Sequence, residues 1–354
     1  MEQCYTLTEI LQQPELWLTT PANVRKAMSA DQIHKLLENA DILITGAGTS
    51  AYISSAIAAA WLRAKAVPST DLLVDAERHL KGVDVVISVG RSGNSPESIA
   101  VVELVRSLRP DILQIAITCN EVGYLAKSEF VMSVLLDPRT NDKSLVMTSS
   151  FSNLVLAGYS MLLPSELESI LANIGERLRL LFPELETAVS AIALQAAERI
   201  VFLSSSPMSS WSQESALKTL EMTAGRHSVM SETFLGLRHG PMSFIRQDTL
   251  VLCLLANDPI RRKYEMDLVR ELNAKNIGVC VGIGATEEEK PEFSFVIPAV
   301  APHLNDTLRT PFEIVIGQLL GLYLCRREGL DPDNPSAGGV ITRVVQKFKI
   351  YAQD

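Results

Sequence analysis

Short apolar runs rich in β-branched residues alternate along the chain with amphipathic stretches. The run 83–89 has the length and composition of a strand that is buried on both faces. Pro96, with Ser95 before it as N-cap, marks the start of a helix soon after that strand. Further runs of the strand type lie at 41–45, 112–118 and 130–136. This alternation predicts a parallel sheet with helices on both faces.

The second half of the chain repeats this outline. Residues 199–203 predict a strand, 204–210 a small polar loop, and 211–224 a helix that stops at Gly225. More strands are predicted at 249–256, 278–283 and 293–298. Among the helices predicted outside this half are 30–40, 51–63 and 144–163. Thr6 and Glu9 fit a capping box for a helix at the N-terminus.

These patterns predict five segments. The two α/β domains are separated by an amphipathic helical bridge and flanked by two smaller segments. The predicted ranges are an N-terminal helical segment at 1–40, a first domain at 41–165, the bridge at 166–198, a second domain at 199–330, and a C-terminal tail at 331–354.

Charge and composition exclude several classes of protein. The 354 residues carry a formal net charge of −9, which argues against a surface for nucleic acid or acidic lipid. The five cysteines are scattered and lie mostly in apolar runs, so buried thiols are expected rather than disulfides. No cluster has the spacing of a zinc or calcium site. Because the sequence shows neither a secretory pattern nor a membrane span, a cytoplasmic location is expected.

Two corners between a strand and a helix are rich in small residues. The loop 90–95 carries glycines and serines ahead of a capped helix, so main-chain N–H groups, hydroxyls and the positive end of a helix dipole converge there. The loop 46–50 has the same character. Such loops suit a phosphate, although an ordinary turn has the same composition. The corresponding loop of the second half, 256–259, lacks these residues, which predicts a single phosphate corner.

The second half carries the candidate catalytic groups. Glu214, Lys218 and Glu221 fall at i, i+4 and i+7, on one face of the predicted helix. A carboxylate beside a cation in a dry cleft can move a proton between adjacent sugar carbons, whereas the same spacing also describes a solvated face of ion pairs. His239 lies in a loop with glycine and proline, where a histidine is either functional or simply exposed.

Four ordered motifs resemble the SIS (sugar isomerase) family, and within it most closely the galactosamine-6-phosphate deaminase/isomerase branch. The similarity extends over nearly the whole chain. The motifs are Gly46-Ala-Gly-Thr-Ser50, Arg91-Ser-Gly-Asn-Ser95, Glu214-Ser-Ala-Leu-Lys-Thr-Leu-Glu221 and Arg238-His-Gly-Pro241. The resemblance implies two flavodoxin-like SIS domains, each a parallel sheet flanked by helices, with a sugar phosphate held between them and the C-terminal tail over the site.

The resemblance also implies roles for individual residues. Glu221 falls on the base for C1–C2 proton transfer, with Glu214 and Lys218 as its helix neighbours. His239 falls on a histidine that assists ring opening from the partner subunit, which implies a homodimer with shared sites. The residues implied to bind phosphate or substrate are Thr49, Ser50, Arg91, Ser92, Gly93, Asn94, Ser95 and Thr148.

Two departures from the glucosamine-6-phosphate synthase pattern change the expectation. Gly90 and Arg91 stand where the synthase has Ser-Gln, which gives Arg91 a charged contact to the phosphate. Residues 336–339 contain no lysine where the synthase has its catalytic one, so ring opening through a lysine Schiff base is in doubt, and neither Arg343 nor Lys347 can be assumed to replace it.

The expected function is therefore a deaminase and isomerase. It converts a 2-amino-aldose 6-phosphate, galactosamine 6-phosphate, to tagatose 6-phosphate and ammonia, without a metal or an organic cofactor and without a nucleic-acid or membrane partner. Two alternatives stay open. One is an aldose–ketose phosphate isomerase that releases no ammonia, and the other is a non-catalytic sugar-phosphate sensor.

Overall fold

The computed structural model describes residues 4–162, 167–195, 197–346 and 348–351, and these form two compact units. The first unit comprises residues 12–175 together with the C-terminal stretch from 339 onward. The second comprises the N-terminal stretch up to residue 11 together with 176–338. The predicted boundary at 165/166 lies outside the described residues, and the other boundaries of the predicted segments stay predictions.

In chain order, the elements up to residue 162 are α1 (Tyr5–Leu11), α2 (Gln13–Trp17), α3 (Thr20–Ala27), α4 (Ala30–Leu37), β1 (Ile42–Thr45), α5 (Thr49–Ala60), β2 (Ala64–Ala66), α6 (Ser69–Val74), α7 (Ala76–Leu80), β3 (Val85–Gly90), α8 (Pro96–Leu108), β4 (Leu113–Thr118), α9 (Tyr124–Lys127), β5 (Met132–Leu135) and α10 (Ser149–Leu162). They are followed by α11 (Leu167–Ala193), β6 (Arg199–Leu203), α12 (Ser209–Met222), β7 (Ser228–Glu232), β8 (Leu250–Leu254), α13 (Pro259–Ala274), β9 (Val279–Ile283), β10 (Phe295–Ile297) and α14 (Asp306–Arg327).

The first unit is built on a parallel five-stranded sheet with the order β2-β1-β3-β4-β5. Every residue of β1 and β3 is buried, as expected for strands that are covered by helices on both faces. The strand order reverses between β1 and β3, and ligands of open α/β sheets bind at such a switch point, outside the carboxyl ends of the strands. The loops 46–50 and 90–95 follow these two strands and therefore lie at this position.

The second unit has a parallel five-stranded sheet of equivalent order, β7-β6-β8-β9-β10. The prediction of two α/β halves with parallel sheets is confirmed. The edge strands β2 and β7 are not predicted by the apolar pattern of the sequence. The first is only three residues long, and no residue of the second is fully buried, so neither carries the continuous apolar run that marked the other strands.

The capping box predicted for Thr6 and Glu9 is wrong. Helix α1 begins one residue earlier, at Tyr5, so Thr6 lies inside the helix. The carboxylate of Asp333, from the far end of the same unit, accepts the main-chain N–H groups of Tyr5 at 2.9 Å and Thr6 at 2.8 Å. The helix is thus capped by a residue more than 300 positions away, and no local sequence pattern reports such a cap.

Helix α14 is the apolar centre of the second unit. Among the described helices, α14 is the only one whose length and composition would allow it to span a membrane. Of its most apolar stretch of 18 residues, 89% is buried within the fold. Burial of this kind is typical of a core helix. Gly317 and Gly321 on α14 allow the close approach of α12, since a Cβ on Gly317 would come within 2.3 Å of the Ser215 hydroxyl oxygen.

Candidate active site

The loop after β1 turns directly into a helix. Gly46 is required for this turn, because a Cβ there would lie 2.5 Å from the Cβ of Ser50. Gly48 adopts a φ of +57°, a region that favours glycine. Helix α5 begins at Thr49, two residues earlier than predicted, so Thr49 and Ser50 lie in its first turn and are both buried. The positive end of the α5 dipole is therefore directed at this corner.

The loop after β3 is held in a fixed shape. The Ser95 hydroxyl accepts a hydrogen bond from the Ser98 N–H at 3.1 Å, which confirms Ser95 as the N-cap of α8 and Pro96 as its first residue. The carbonyl oxygen of Ser92 accepts from the Asn120 side chain at 2.9 Å, and that of Gly93 accepts from the Leu125 N–H at 3.1 Å. Because these two oxygens are directed toward the loop after β4, they do not repel an anion at the start of α8.

A cavity of about 150 Å³ lies at the carboxyl ends of β1 and β3. It brings together Ser50, Arg91, Ser92, Gly93 and Ser95, five of the residues that the sequence assigned to phosphate or substrate. Its wall is completed by residues that the sequence analysis did not assign to the site. Among them are Glu97 of α8, Met147, and Arg343 and Val345 of the C-terminal stretch.

The Arg91 side chain lines this cavity and is held in place by main-chain oxygens. Its guanidinium group is buried and donates hydrogen bonds to the carbonyl oxygens of Leu145 at 3.2 Å, Val146 at 3.1 Å and Arg343 at 2.7 Å, with a longer one to Ser144. The predicted direct contact of Arg91 with a phosphate stays a prediction. In the structure, Arg91 fastens the segment 144–146 and the C-terminal stretch to the loop after β3.

Three other predicted residues do not line the cavity. The Asn94 side-chain oxygen accepts from the Tyr124 N–H at 2.7 Å, and Asn94 faces a separate, mainly apolar groove of about 680 Å³. Thr49 is buried in the first turn of α5. Thr148 is fully buried, and its N–H donates to the Asp142 carboxylate at 2.9 Å.

The predicted start of the helix at Ser144 is wrong, and Asp142 is the cause. Its carboxylate also accepts from the N–H groups of Ser149 at 3.2 Å and Ser150 at 2.9 Å, so it caps α10 and fixes its start at Ser149. The segment 144–148 is left as a loop, and the carbonyl oxygens of 144–146 are the ones that accept from Arg91. The predicted end of this helix, Leu163, lies outside the described residues.

The three ionisable residues on α12 form a buried ion-pair chain in the second unit. The Lys218 ammonium lies 3.4 Å from a Glu214 carboxylate oxygen and also pairs with the Glu221 carboxylate. The side chains of Lys218 and Glu214 are 1% and 0% exposed, whereas that of Glu221 is 22% exposed. The alternative of a solvated charged face is therefore wrong. Lys218 holds Glu221, the one member of the three that solvent can reach, in a fixed position.

Packing against α14 explains why these charges are buried. Gly321 lies beside Lys218, where a Cβ would come within 3.4 Å of the Lys218 carbonyl oxygen. The Trp211 indole N–H donates to the carbonyl oxygen of Glu313 at 3.0 Å and fastens the N-terminal part of α12 to α14. The polar face of α12 is covered by α14 for this reason. The sequence of α12 alone does not show that α14 covers this face.

His239 stands at the end of a short 3₁₀ helix, Gly236–His239, and is exposed. The preceding residues Phe234 and Leu237 are fully buried in the core of the second unit and anchor the loop. The neighbouring Arg238 forms an ion pair with Glu271 at 2.7 Å. The imidazole is therefore presented to the outside of this chain on a well-anchored loop.

The loop after β8, which corresponds to the loop after β3 in the first unit, is filled by two carboxylates of the chain. After β8, the Ala256 N–H donates to Glu265 at 2.7 Å, while the N–H groups of Asn257 and Asp258 donate to Asp306 at 2.8 and 3.1 Å. Burial raises the pKa of Glu265. For Asp306, burial acts to raise the pKa, but the two N–H groups and Arg309 outweigh it and the pKa is lowered. The chain's own carboxylates thus occupy the donors that a phosphate would need.

The described residues contain no group of three or more His, Cys, Asp or Glu side chains that could hold a metal ion. The four cysteines at 119, 253, 280 and 325 are buried free thiols, and Cys4 is half-buried and also free. The structure therefore agrees with the expectation of buried thiols, with Cys4 the least covered of the five.

No family model matches the chain. It is 35% identical over 373 residues to the D-galactosamine-6-phosphate deaminase AgaS of Shewanella sp. (strain ANA-3), covering 98% of this chain and 92% of the relative. It is 33% identical over 367 residues to the D-galactosamine-6-phosphate deaminase AgaS of Escherichia coli O157:H7, covering 98% and 95%. The solved structure of tagatose-6-phosphate ketose/aldose isomerase from Escherichia coli matches with a TM-score of 0.87 and 28% identity, covering 99% of this chain and 98% of that one.

Two parallel five-stranded sheets flanked by helices, together with these full-length matches, define an enzyme of the SIS phosphosugar isomerase class, as the resemblance of the motifs implied. Within that class, the chain belongs to the family of the AgaS galactosamine-6-phosphate deaminases.

Proposed function

We propose that the protein converts galactosamine 6-phosphate to tagatose 6-phosphate and ammonia. The observation that carries the proposal is the chain of Glu214, Lys218 and Glu221, in which two buried charges hold one accessible carboxylate. The names of the relatives, deaminase for two of them and ketose/aldose isomerase for the third, support both halves of the reaction. The loop serines at 92 and 95 are assigned to the 6-phosphate.

The reaction is a proton transfer followed by hydrolysis. In the ring-opened sugar, Glu221 removes the proton from C2, next to the C1 aldehyde, and returns it to C1. The C1 oxygen gains a proton and the C2 nitrogen loses one in the same rearrangement, so the C1 carbonyl becomes a hydroxyl and the C2 amine a ketimine. Water then adds to the ketimine carbon, and the nitrogen leaves as ammonia to give the C2 ketone. A positioned carboxylate suffices for the transfer, so the proposal includes neither metal nor organic cofactor.

His239 is proposed to assist ring opening in the site of a second copy of the chain. Its exposure on an anchored loop supports a role outside its own chain. The proposal therefore includes a homodimer with shared sites, as the resemblance implies. A cytoplasmic location is part of the same proposal, because charged sugar phosphates do not cross a bilayer without a carrier.

The assignment of the base is tested with Glu221→Gln, which keeps the shape of the side chain and removes the acceptor for the proton. Turnover is expected to fall by about 10²–10⁴-fold, the usual contribution of a positioned base, whereas affinity for an inert phosphate monoester changes little. The matched control is Glu184→Gln, which removes an exposed carboxylate from α11 of the same unit. Unchanged turnover in Glu221→Gln contradicts the assignment.

A second candidate is the plain aldose–ketose isomerase, and the name of the solved structure from Escherichia coli favours it. It uses the same proton transfer on a 2-hydroxy sugar and releases no ammonia. Interconversion of tagatose 6-phosphate with its aldose, together with inert amino sugars, would identify this activity. Binding of sugar phosphates without turnover of any of them would identify a sensor.

A further inference from the structure

Glu97 is a buried carboxylate in the wall of the cavity proposed for the phosphate. It is the second residue of α8, directly after Pro96, and is only 6% exposed. Its Oε2 atom is buried, and no group of the described residues donates a hydrogen bond to it. A buried acceptor that is left without a donor costs free energy, so an arrangement of this kind calls for a ligand that supplies one.

The cationic groups around the cavity do not offset this negative charge by direct contact. The described ionisable residues that line it are Glu97, Arg91 and Arg343. Arg91 donates to the carbonyl oxygens of 144–146 and 343, and Arg343 donates to the carbonyl oxygen of Asp142 at 2.8 Å and the side chain of Asn141 at 2.6 Å. An anion in the cavity is therefore held by hydroxyls, N–H groups and the dipole of the 13-residue helix α8.

A fully ionised phosphate monoester has only acceptor oxygens and two negative charges. Placed beside Glu97, it offers no donor to the carboxylate and repels it. One added proton removes both problems, because it forms a hydrogen bond between a phosphate oxygen and Glu97 Oε2 and lowers the total charge by one. We propose that Glu97 shares a proton with the phosphate group of the bound ligand, so that each ligand bound above pH 7 takes up one proton from solution.

This inference rests on the proposed function only for the assignment of the cavity to the phosphate. The number of protons taken up on binding follows from the ionisation state of the free ligand. The second pKa of a phosphate monoester is about 6, so the free ligand is fully ionised at pH 8. The complex then contains one proton more than its free partners, located on either oxygen.

Other titratable groups near α8 do not account for such an uptake. Helices α6, α7 and α9 pack against α8, and their ionisable side chains do not line the cavity. Those side chains are Asp71, Glu77, Arg78, His79, Tyr124 and Lys127. Burial together with the hydrogen bond to Glu103 raises the pKa of Tyr124. Glu97→Gln leaves all of these side chains in place, so protons that they bind do not account for a difference between the wild type and this variant.

The test measures the affinity of the protein for methyl phosphate, an inert monoester, between pH 7 and 9. For the wild type, the Kd is expected to rise by about tenfold per pH unit, as linkage requires for the uptake of one proton. For Glu97→Gln, the Kd is expected to stay constant over this range. The matched control is Glu121→Gln, which removes an exposed carboxylate from the turn after β4 and is expected to keep the slope of the wild type.

Calorimetry of the same binding reaction provides a second measurement that needs no variant. The binding enthalpy of the wild type at pH 8 is expected to change with the ionisation enthalpy of the buffer in proportion to one proton per ligand. A wild-type Kd that does not change with pH, or an enthalpy that is independent of the buffer, overturns the proposal, as does an absence of methyl phosphate binding. Ammonia release is assayed separately, so proton uptake without turnover contradicts only the proposed function.

Discussion

Removal of the Lys218 ammonium is the sharpest perturbation of the α12 ion-pair chain. Lys218→Met keeps the length and apolar stem of the side chain but deletes the charge that lies between Glu214 and Glu221. Glu221 is 22% exposed and can turn toward water, whereas Glu214 is 0% exposed and loses the ammonium that lies 3.4 Å from its carboxylate. The variant is therefore expected to lose both stability and the fixed position of Glu221.

Breaking a buried ion pair by removing one partner typically costs about 3–5 kcal/mol of unfolding free energy. For a domain of about 150–250 residues, each kcal/mol corresponds to about 2–4 °C in Tm, so the second unit is expected to melt about 6–20 °C lower. Urea unfolding of the wild type and the variant measures the free energy. Calorimetric melting measures the temperature.

Two control variants separate the buried charge from the loss of any lysine. Lys275, directly after α13, pairs with Glu271 at the same i, i+4 spacing, but its side chain is 49% exposed. Lys275→Met is expected to change the unfolding free energy by at most about 1 kcal/mol. Glu214→Gln combined with Lys218→Met removes both buried charges and is expected to recover most of the loss. A Lys218→Met variant that is no less stable than Lys275→Met refutes the reasoning.

Three further predictions follow from other parts of the structure. A lysine at position 91 cannot donate hydrogen bonds to the carbonyl oxygens of 144–146 and of 343 at once, as the guanidinium group does. In Arg91→Lys, proteolysis of the C-terminal stretch is therefore expected to accelerate, and KM to rise more than kcat falls. An unchanged rate of proteolysis contradicts this role of Arg91. If His239 acts in the partner's site, an equal mixture of Glu221→Gln and His239→Ala subunits is expected to restore about a quarter of wild-type turnover. Half of the dimers are then mixed, and each mixed dimer contains one intact site of two. An absence of recovery contradicts this role of the histidine. Burial raises the pKa of Glu265, so the protonated form is favoured in the folded state. As pH rises from about 4 to 7, the unfolding free energy of the wild type, measured by urea unfolding, is therefore expected to fall relative to that of Glu265→Gln. A difference that stays constant with pH contradicts this prediction.

The sequence predicted those parts of the fold that are encoded locally. Strand β6 was placed at its observed bounds, 199–203, because its apolar run ends abruptly in polar residues on either side. The N-cap at Ser95 was correct for the same reason, since a hydroxyl, a proline and the following apolar positions lie together in the chain. The edge strand β7 was missed, because its residues are only partly buried and show no apolar run.

Features that depend on distant residues escaped the sequence analysis. The start of α10 is fixed by Asp142 and that of α1 by Asp333, and neither carboxylate lies in the local pattern of its helix. The role of Arg91 depends on carbonyl oxygens more than 50 residues away, which no motif displays. Glu97 lies two residues after the motif 91–95, but only the cavity shows that its carboxylate is buried against the loop.

The central claim is tested most directly by incubating the purified protein with galactosamine 6-phosphate and measuring ammonia and ketose 6-phosphate in the same samples. The account predicts that both products appear in equal amounts, and glucosamine 6-phosphate in parallel samples reports the preference at C4. Formation of neither product from galactosamine 6-phosphate, by a protein that binds methyl phosphate, contradicts the deaminase.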